Sequence, residues 1–346
     1  MSEEEMNPKY LTSLFQANDI LQNSNSVVSM TKELQLSEGS LAFSSLLKYH
    51  KNNNNLPQTI FIKLDKIRST KHYKNLMRNE IDYYHMTQKY KMDYMPKILA
   101  GSYNDEFSYL ILENYSNSHF VNTYETNIEF YKLAAKKIAE HHYICRELNL
   151  PTLYQDKYSP MSYKFVDLKS ILYNHKQMVC LLGDSLTNKN KDILESVLCK
   201  LEENIDSINN YLAYKQHTII HGDYHLRNCL FNKKNIETNM LIIDWQWCNI
   251  GIGTYDMAHL LNLYLPNKYK EKELEILKIY YNKLKELKYN YSWQECLEDY
   301  KIFTMLNLFK PAYYAVTCKL RRKTKFWAEF LNSIIISYNN LASNAD

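Results

Sequence analysis

An aspartate and an asparagine stand five residues apart in HGDYHLRNCLFN, residues 221–232, just after the short apolar stretch Thr218–Ile220. Transfer of a phosphoryl group to a hydroxyl calls for such a pair. A carboxylate orients the attacking hydroxyl and accepts its proton, while an amide oxygen on the same loop helps hold a magnesium ion against a triphosphate. Asp223 suits the first role and Asn228 the second. Sixteen residues further on, the apolar run of LIIDWQW ends at Asp244, with Trp245 behind it. A carboxylate at a strand end is suited to bridging magnesium to the β and γ phosphates.

Upstream, Lys63 lies among apolar neighbours in IFIKL, an expensive setting for an ammonium unless an anion meets it. Glu80, seventeen residues later in a helix expected over residues 73–90, is the candidate anion, with the α and β phosphates completing the lysine's partners. Ser37, Glu38, Gly39 and Ser40 fall between two candidate strands and are candidates for the turn that covers the phosphates. No G-x-G-x-x-G is present, so small serines and backbone N–H groups would have to do the covering. The run LILEN, residues 110–114, is where a hinge would offer backbone groups to adenine, with Glu113 and Tyr115 as contacts. His221 and His225 flank Asp223 without an H-E-x-x-H pattern or a third nitrogen ligand, so they read as braces of the loop rather than as zinc ligands. Asp256, in GTYDMAHLL, is expected to cap the following helix and to tie down the loop of Asp223.

The elements that must position these groups fall into two kinds. Residues 27–34, 43–49, 59–64, 97–103 and 109–113 are β-branched, aromatic or alternating, and predict a small, mostly antiparallel sheet interrupted by the one helix. The Asn52–Asn55 run ending in Pro57 suits an exposed loop between two strands. Beyond Ser116 the period becomes helical, with stripes at Ala134, Ile138, His141 and Cys145 and at Leu194, Leu198, Leu201, Ile205, Ile208 and Leu212. Residues 274–284 continue that pattern and residues 293–316 form another apolar helical region. The chemistry-bearing exception is 218–261, where apolar triplets alternate with turns and where three of the six glycines, Gly222, Gly251 and Gly253, are found. The predicted fold class is α+β and bilobal, with a nucleotide-binding lobe at 1–115 and a catalytic, substrate-binding lobe at 116–346.

Composition narrows the partners. Forty-two basic and 38 acidic residues, spread along 346 positions for a net charge of +4, make no polyanion-binding tail. The basic run Arg321, Arg322, Lys323 and Lys325 reads as a solvated helix face, so no nucleic-acid partner is expected. Seven scattered cysteines without a C-x-x-C pair argue against a disulfide framework or a zinc site. The acidic start, MSEEEMN, lacks the basic and apolar regions expected of a signal peptide, and no apolar run approaches a membrane span. The expectation is a cytoplasmic monomer or homodimer with no membrane partner. The 31 tyrosines are read as coding bias.

From about Ser37 to Leu261, the lysine strand, RNEIDYYHM, LILE, HGDYHLRNCLF and IIDWQWCNIGIGTYDMAHLL together resemble the phosphotransferases related to aminoglycoside and choline kinases. Within that group they resemble the ecdysteroid-kinase-like branch and its bacterial relatives. The resemblance implies a protein-kinase-like fold, an ATP and Mg2+ mechanism, and small hydroxylated acceptors such as antibiotics, choline, sugars or steroids. Only twelve residues separate Asp244 from Asp256, which leaves no room for a peptide-binding activation segment. Two function classes stay open: a small-molecule kinase, and a catalytically silent pseudokinase that binds nucleotide to regulate or scaffold. Within the first, an acidic acceptor pocket would draw on Glu295, Glu298 and Asp299, and an apolar one on Trp293, Phe303 and Phe309.

Overall fold

The computed structural model describes residues 6–36, 40–51, 55–65, 71–105, 107–122, 127–155, 167–317 and 323–343. Ser37 and Gly39, expected over the phosphates, lie outside the described residues, as do Asn52–Asn54, Cys318 and the Arg321 and Arg322 of the basic run. The chain divides into two compact units, Met1–Asn122 with Arg227–Cys248, and Thr123–Leu226 with Asn249–Asp346.

The first unit is built on an antiparallel sheet of β1 (Val27–Leu36), β2 (Ser40–Tyr49), β3 (Thr59–Asp65), β4 (Ile98–Tyr103) and β5 (Ser108–Glu113), in the order β1-β2-β3-β5-β4. Period-two alternation in β3 sends Ile60, Ile62 and Leu64 into one core layer, and Lys63 therefore points to the opposite face. Helix α1 (Pro8–Ala17) covers the first layer with Leu11 and Phe15, both fully buried. Its start carries ordinary signals: Asn7 accepts from the Tyr10 N–H at 3.0 Å, and Pro8 needs no donor at the first helical position. Each such buried side chain stabilises the layer by about 2 kcal/mol. Helix α2 (Lys71–Lys89) is the predicted helix, extended by two residues at its start. The expected strands are present with boundaries shifted by a few residues.

The second unit is mostly helical. Helix α3 (Ile128–Glu147) buries the predicted stripe of Ala134, Ile138, His141 and Cys145 completely. In the helix Asn188–Tyr214 the buried line runs through Leu194, Val197, Leu201, Ile208 and Leu212, while Leu198 and Ile205 are only half-buried. The region expected to be helical over 293–316 is helical in three separate pieces. Trp293–Asn307 is α-helical, Lys310–Ala312 is a separate short turn, and Tyr313–Thr317 is π-helical. Pro311 supplies a reason, because it has no N–H for an upstream carbonyl and its ring collides with the preceding turn. Two short strands, Thr218–Ile220 and Asn249–Gly251, pair antiparallel and bracket the sequence motifs. Among the described residues, no helix is long and apolar enough to cross a membrane.

Candidate active site

In the first unit, Lys63 Nζ donates to Glu80 Oε2 at 2.6 Å and to Asp244 Oδ1 at 2.8 Å. The lysine and Glu80 are buried, whereas the Asp244 side chain keeps 31% of its surface exposed. Burial alone would lower the lysine pKa. The charges of Asp244 and Glu80 more than offset that effect and hold the ammonium above its ordinary value. Burial, opposed by Lys63, pushes the Glu80 carboxyl up.

Packing explains why these three groups meet. The strand Leu241–Ile242 pairs with Cys229–Asn232, which pairs with His119–Val121, so the segment carrying Asp244 is stitched into the first unit. Trp245 then stacks on Tyr83 of α2, with ring centroids 4.3 Å apart, and its indole N–H donates to the Ile242 carbonyl at 3.0 Å. That stack brings the residue before it towards Glu80, one helical turn away from Tyr83. Asp244 itself adopts φ 65° and ψ 57°, left-handed geometry that aspartate tolerates better than most residues but that still costs about 1 kcal/mol. Asn228 closes a 3-10 turn, and its carbonyl accepts from the Ile243 N–H at 3.0 Å, which ties the asparagine's turn to the residue preceding Asp244.

Tyr84, one turn beyond Glu80, was missed by sequence reasoning. Its buried hydroxyl has no hydrogen-bond partner among the described residues, and its pKa is raised by burial first and then by the charges of Glu80 and Asp244. Of the other expected nucleotide contacts, Ser40 opens β2 opposite Asp65. Glu113 ends β5 with its N–H given to the Lys97 carbonyl, and Tyr115 stands edge-on to His119 at 5.4 Å.

The second unit holds Asp223. Its Oδ1 accepts from His259 Nε2 at 3.0 Å, and His225 Nε2 lies 3.6 Å from Oδ2. Burial would raise this carboxyl; the two histidines overcome it and hold the group well below the usual carboxylate range. Asp223 is therefore a carboxylate at neutral pH. Gly222, at φ 84°, makes the turn that presents it. Asp256 accepts from the Gly222 N–H at 2.9 Å and the His221 N–H at 2.7 Å, so it ties down the loop as expected. It does not cap the helix: it sits inside Thr254–Ala258, and His142 Nε2 lies 3.1 Å from Oδ2, the oxygen that also accepts from the His221 N–H.

Two of the three residues proposed for an acidic acceptor pocket, Asp299 and Glu295, have structural employment. Asp299 accepts from Tyr211 at 2.8 Å and from Tyr291, and Glu295 closes a capping box with Ser292. Phe303 and Phe309 are buried, the first edge-on to Tyr255.

The family model for ecdysteroid kinase-like proteins matches residues 68–291, more than half of the chain. The chain belongs to the ecdysteroid kinase-like family. Glu80, Asp223, Asn228, Asp244 and His259 lie inside the matched span of this ecdysteroid-kinase-like protein, Lys63 just before it and Lys310 after it. Solved structures share its fold. A Plasmodium vivax ethanolamine kinase matches with TM-score 0.54 at 15% identity, covering 98% of this chain and 89% of that one. Choline kinase LicA from Streptococcus pneumoniae matches with TM-score 0.52 at 13% identity, covering 99% and 100%. The streptomycin–ATP–APH(2")-IIa ternary complex matches with TM-score 0.50 at 18% identity, covering 94% and 98%. No curated protein matches in sequence. The ecdysteroid-kinase-like chain thus has the protein-kinase-like fold of small-molecule phosphotransferases. It also has a feature that sequence reasoning passed over, the pair His259 and Lys310 behind Asp223; the lysine lies in FKPAYY, where nothing marks it as chemical.

Proposed function

We propose that this protein is a small-molecule kinase that uses ATP and magnesium to phosphorylate a hydroxyl of a non-protein acceptor. The observation that carries the reading is the buried Lys63 ammonium held at once by Glu80 and Asp244, one carboxylate from a helix and one from a strand end. Packing alone gives no reason to bury an ammonium between two carboxylates. A nucleotide-binding lysine needs such partners to stay charged and aimed. The ATP in the ternary complex of a protein sharing this fold supports the choice of nucleotide.

In this reading Lys63 pairs with α and β phosphate oxygens, and Glu80 fixes its direction. Asn228 and Asp244 fit a magnesium site: they offer an amide and a carboxylate oxygen from two backbone-linked segments, and magnesium favours few protein oxygens alongside phosphates and water. When bound there, magnesium neutralises charge developing on the phosphates. Asp223, ionised and pinned by His259, accepts a hydrogen bond from the acceptor hydroxyl and takes its proton as the new oxygen–phosphorus bond forms and the bond from the γ phosphorus to the bridging oxygen breaks, leaving ADP. A low pKa suits it to orientation first and proton acceptance late. We read the protein as cytoplasmic, with a small molecule rather than nucleic acid as its partner.

The test is magnesium-dependent consumption of ATP by the purified chain in a metabolite extract, with mass gains of one phosphate as the second readout. Asp223→Asn is expected to lower turnover by at least about 100-fold while ATP affinity stays within about threefold. Native protein that binds ATP and never consumes it would instead be a pseudokinase.

A further inference from the structure

Behind Asp223 the second unit holds two nitrogen-bearing side chains in series. His259 opens the π-helical turn His259–Leu263, and its Nε2 is the group 3.0 Å from Asp223 Oδ1. Its Nδ1 is hydrogen-bonded to Lys310 Nζ, which also donates to the Tyr255 hydroxyl at 2.9 Å. Lys310 in turn begins the short helical turn that runs into the second π-helical segment, Tyr313–Thr317. Both side chains are buried, at 0% and 3% exposure. π turns are rare and occur frequently at functional sites.

Donor and acceptor roles follow from the chemistry of the groups. An ammonium only donates, so Nδ1 of His259 accepts from Lys310, and in a neutral imidazole the single proton is then on Nε2, facing the carboxylate. We propose that Lys310 and His259 are positioning residues for Asp223: Lys310 fixes the tautomer of His259, and His259 pins Oδ1 so that the carboxylate meets the acceptor hydroxyl in one orientation. This inference rests on Asp223 being the base. The electrostatics agree with it. Burial and then the charge of Lys310 lower His259 to about 4, so its ring is neutral at pH 7. Burial lowers Lys310 to about 7, against the opposing charges of Asp223 and Asp256, so the ammonium that donates to Nδ1 is the form present below pH 7. A methionine would fill the same volume without that desolvation, so packing does not explain an ammonium at this place.

The experiment uses, at pH 6 where Lys310 is charged and His259 neutral, the full chain labelled with 15N-histidine, together with its magnesium-dependent turnover of ATP, water serving as acceptor. His259, assigned with His259→Gln, is expected as the Nε2–H tautomer, and Lys310→Met is expected to shift its Nδ1 resonance or convert the tautomer. Lys310→Met and His259→Leu should each lower kcat about 10-fold to 100-fold with the KM for ATP unchanged. His259→Gln, whose amide still donates to the carboxylate, should recover part of the loss. A thermal melt on each variant checks the fold, and the two substitutions act on different elements, so failure of one to fold leaves the other decisive. An Nδ1–H tautomer in the native protein, or native kcat in both Lys310→Met and His259→Leu while Asp223→Asn is inactive, overturns the inference and leaves the kinase reading standing. No ATP turnover by native protein, either with water or in the metabolite extract, overturns both.

Discussion

Lys63 stands between Glu80 and Asp244 at 2.6 and 2.8 Å, and removing its charge would leave Glu80 buried without its cation. Breaking a buried pair from one side costs more than never having built it. Lys63→Met is therefore expected to lose about 3 kcal/mol of stability in a urea titration, and Glu80→Gln placed on top of it to restore most of the loss. An unchanged midpoint for Lys63→Met would mean that the bridge does not form in solution. Half of this site was readable from the chain. The seventeen-residue spacing from Lys63 to Glu80 joins a strand to the next helix, which is a local relation. The contact with Asp244 spans 181 residues, and the His259–Lys310 pair joins positions 51 apart. Both are set by packing, which residue types alone do not reveal.

At the level of elements, the turns carry the precision. Gly253 leads into the helix of Asp256, and a Cβ there would stand 2.5 Å from His142 Nδ1 and 2.6 Å from the Tyr280 hydroxyl. His142 is the brace of Asp256, which in turn holds the loop of Asp223. Gly253→Ala must displace that brace, at about 1–3 kcal/mol by the usual cost of overpacking. The accompanying kinetic expectation is a fall in kcat with little change in the KM for ATP, because the displaced groups lie in the unit bearing Asp223 and the Lys63 site lies in the other. Native kinetics in a folded Gly253→Ala protein would remove Asp256 from the support of the base. Strands with clean alternation, such as β3, were legible in the sequence because their side chains sort by face. Helix α1 was legible in principle, through Asn7 and Pro8, as was the break at Pro311. The π turns at His259 and Tyr313 were not, since they keep helical composition and differ only in hydrogen-bond geometry.

For the molecule as a whole, the buried titratable groups set where in pH the fold is most stable. Asp223 and Asp256, held below the usual carboxylate range against burial by histidine partners, contribute stability above about pH 4 that is lost as pH falls through their folded values. His259, lowered by burial to about 4, binds fewer protons folded than unfolded, so stability also rises with pH between about 4 and 6.5. Lys310 and Lys270 act the same way at higher pH. Burial lowers them to about 7 and about 8, so between those values and about 10.5 the unfolded chain holds more protons and the folded state gains as pH rises. Buried tyrosines reverse the trend above about pH 10: Tyr255 and Tyr280 are raised, chiefly by burial, and the unfolded chain ionises first. The balance predicts a maximum between about pH 9 and 10, above the common range, with a gain of about 3 kcal/mol between pH 7 and 9. Denaturant titrations across that window check it, and equal stability at pH 7 and 9 would refute it. Lys310→Met should flatten the rise and be more stable than the native protein at pH 7, because the desolvation cost it removes exceeds the attraction it forfeits. A substitution that stabilises the fold while slowing turnover would locate the reason for Lys310 in the reaction rather than in the packing.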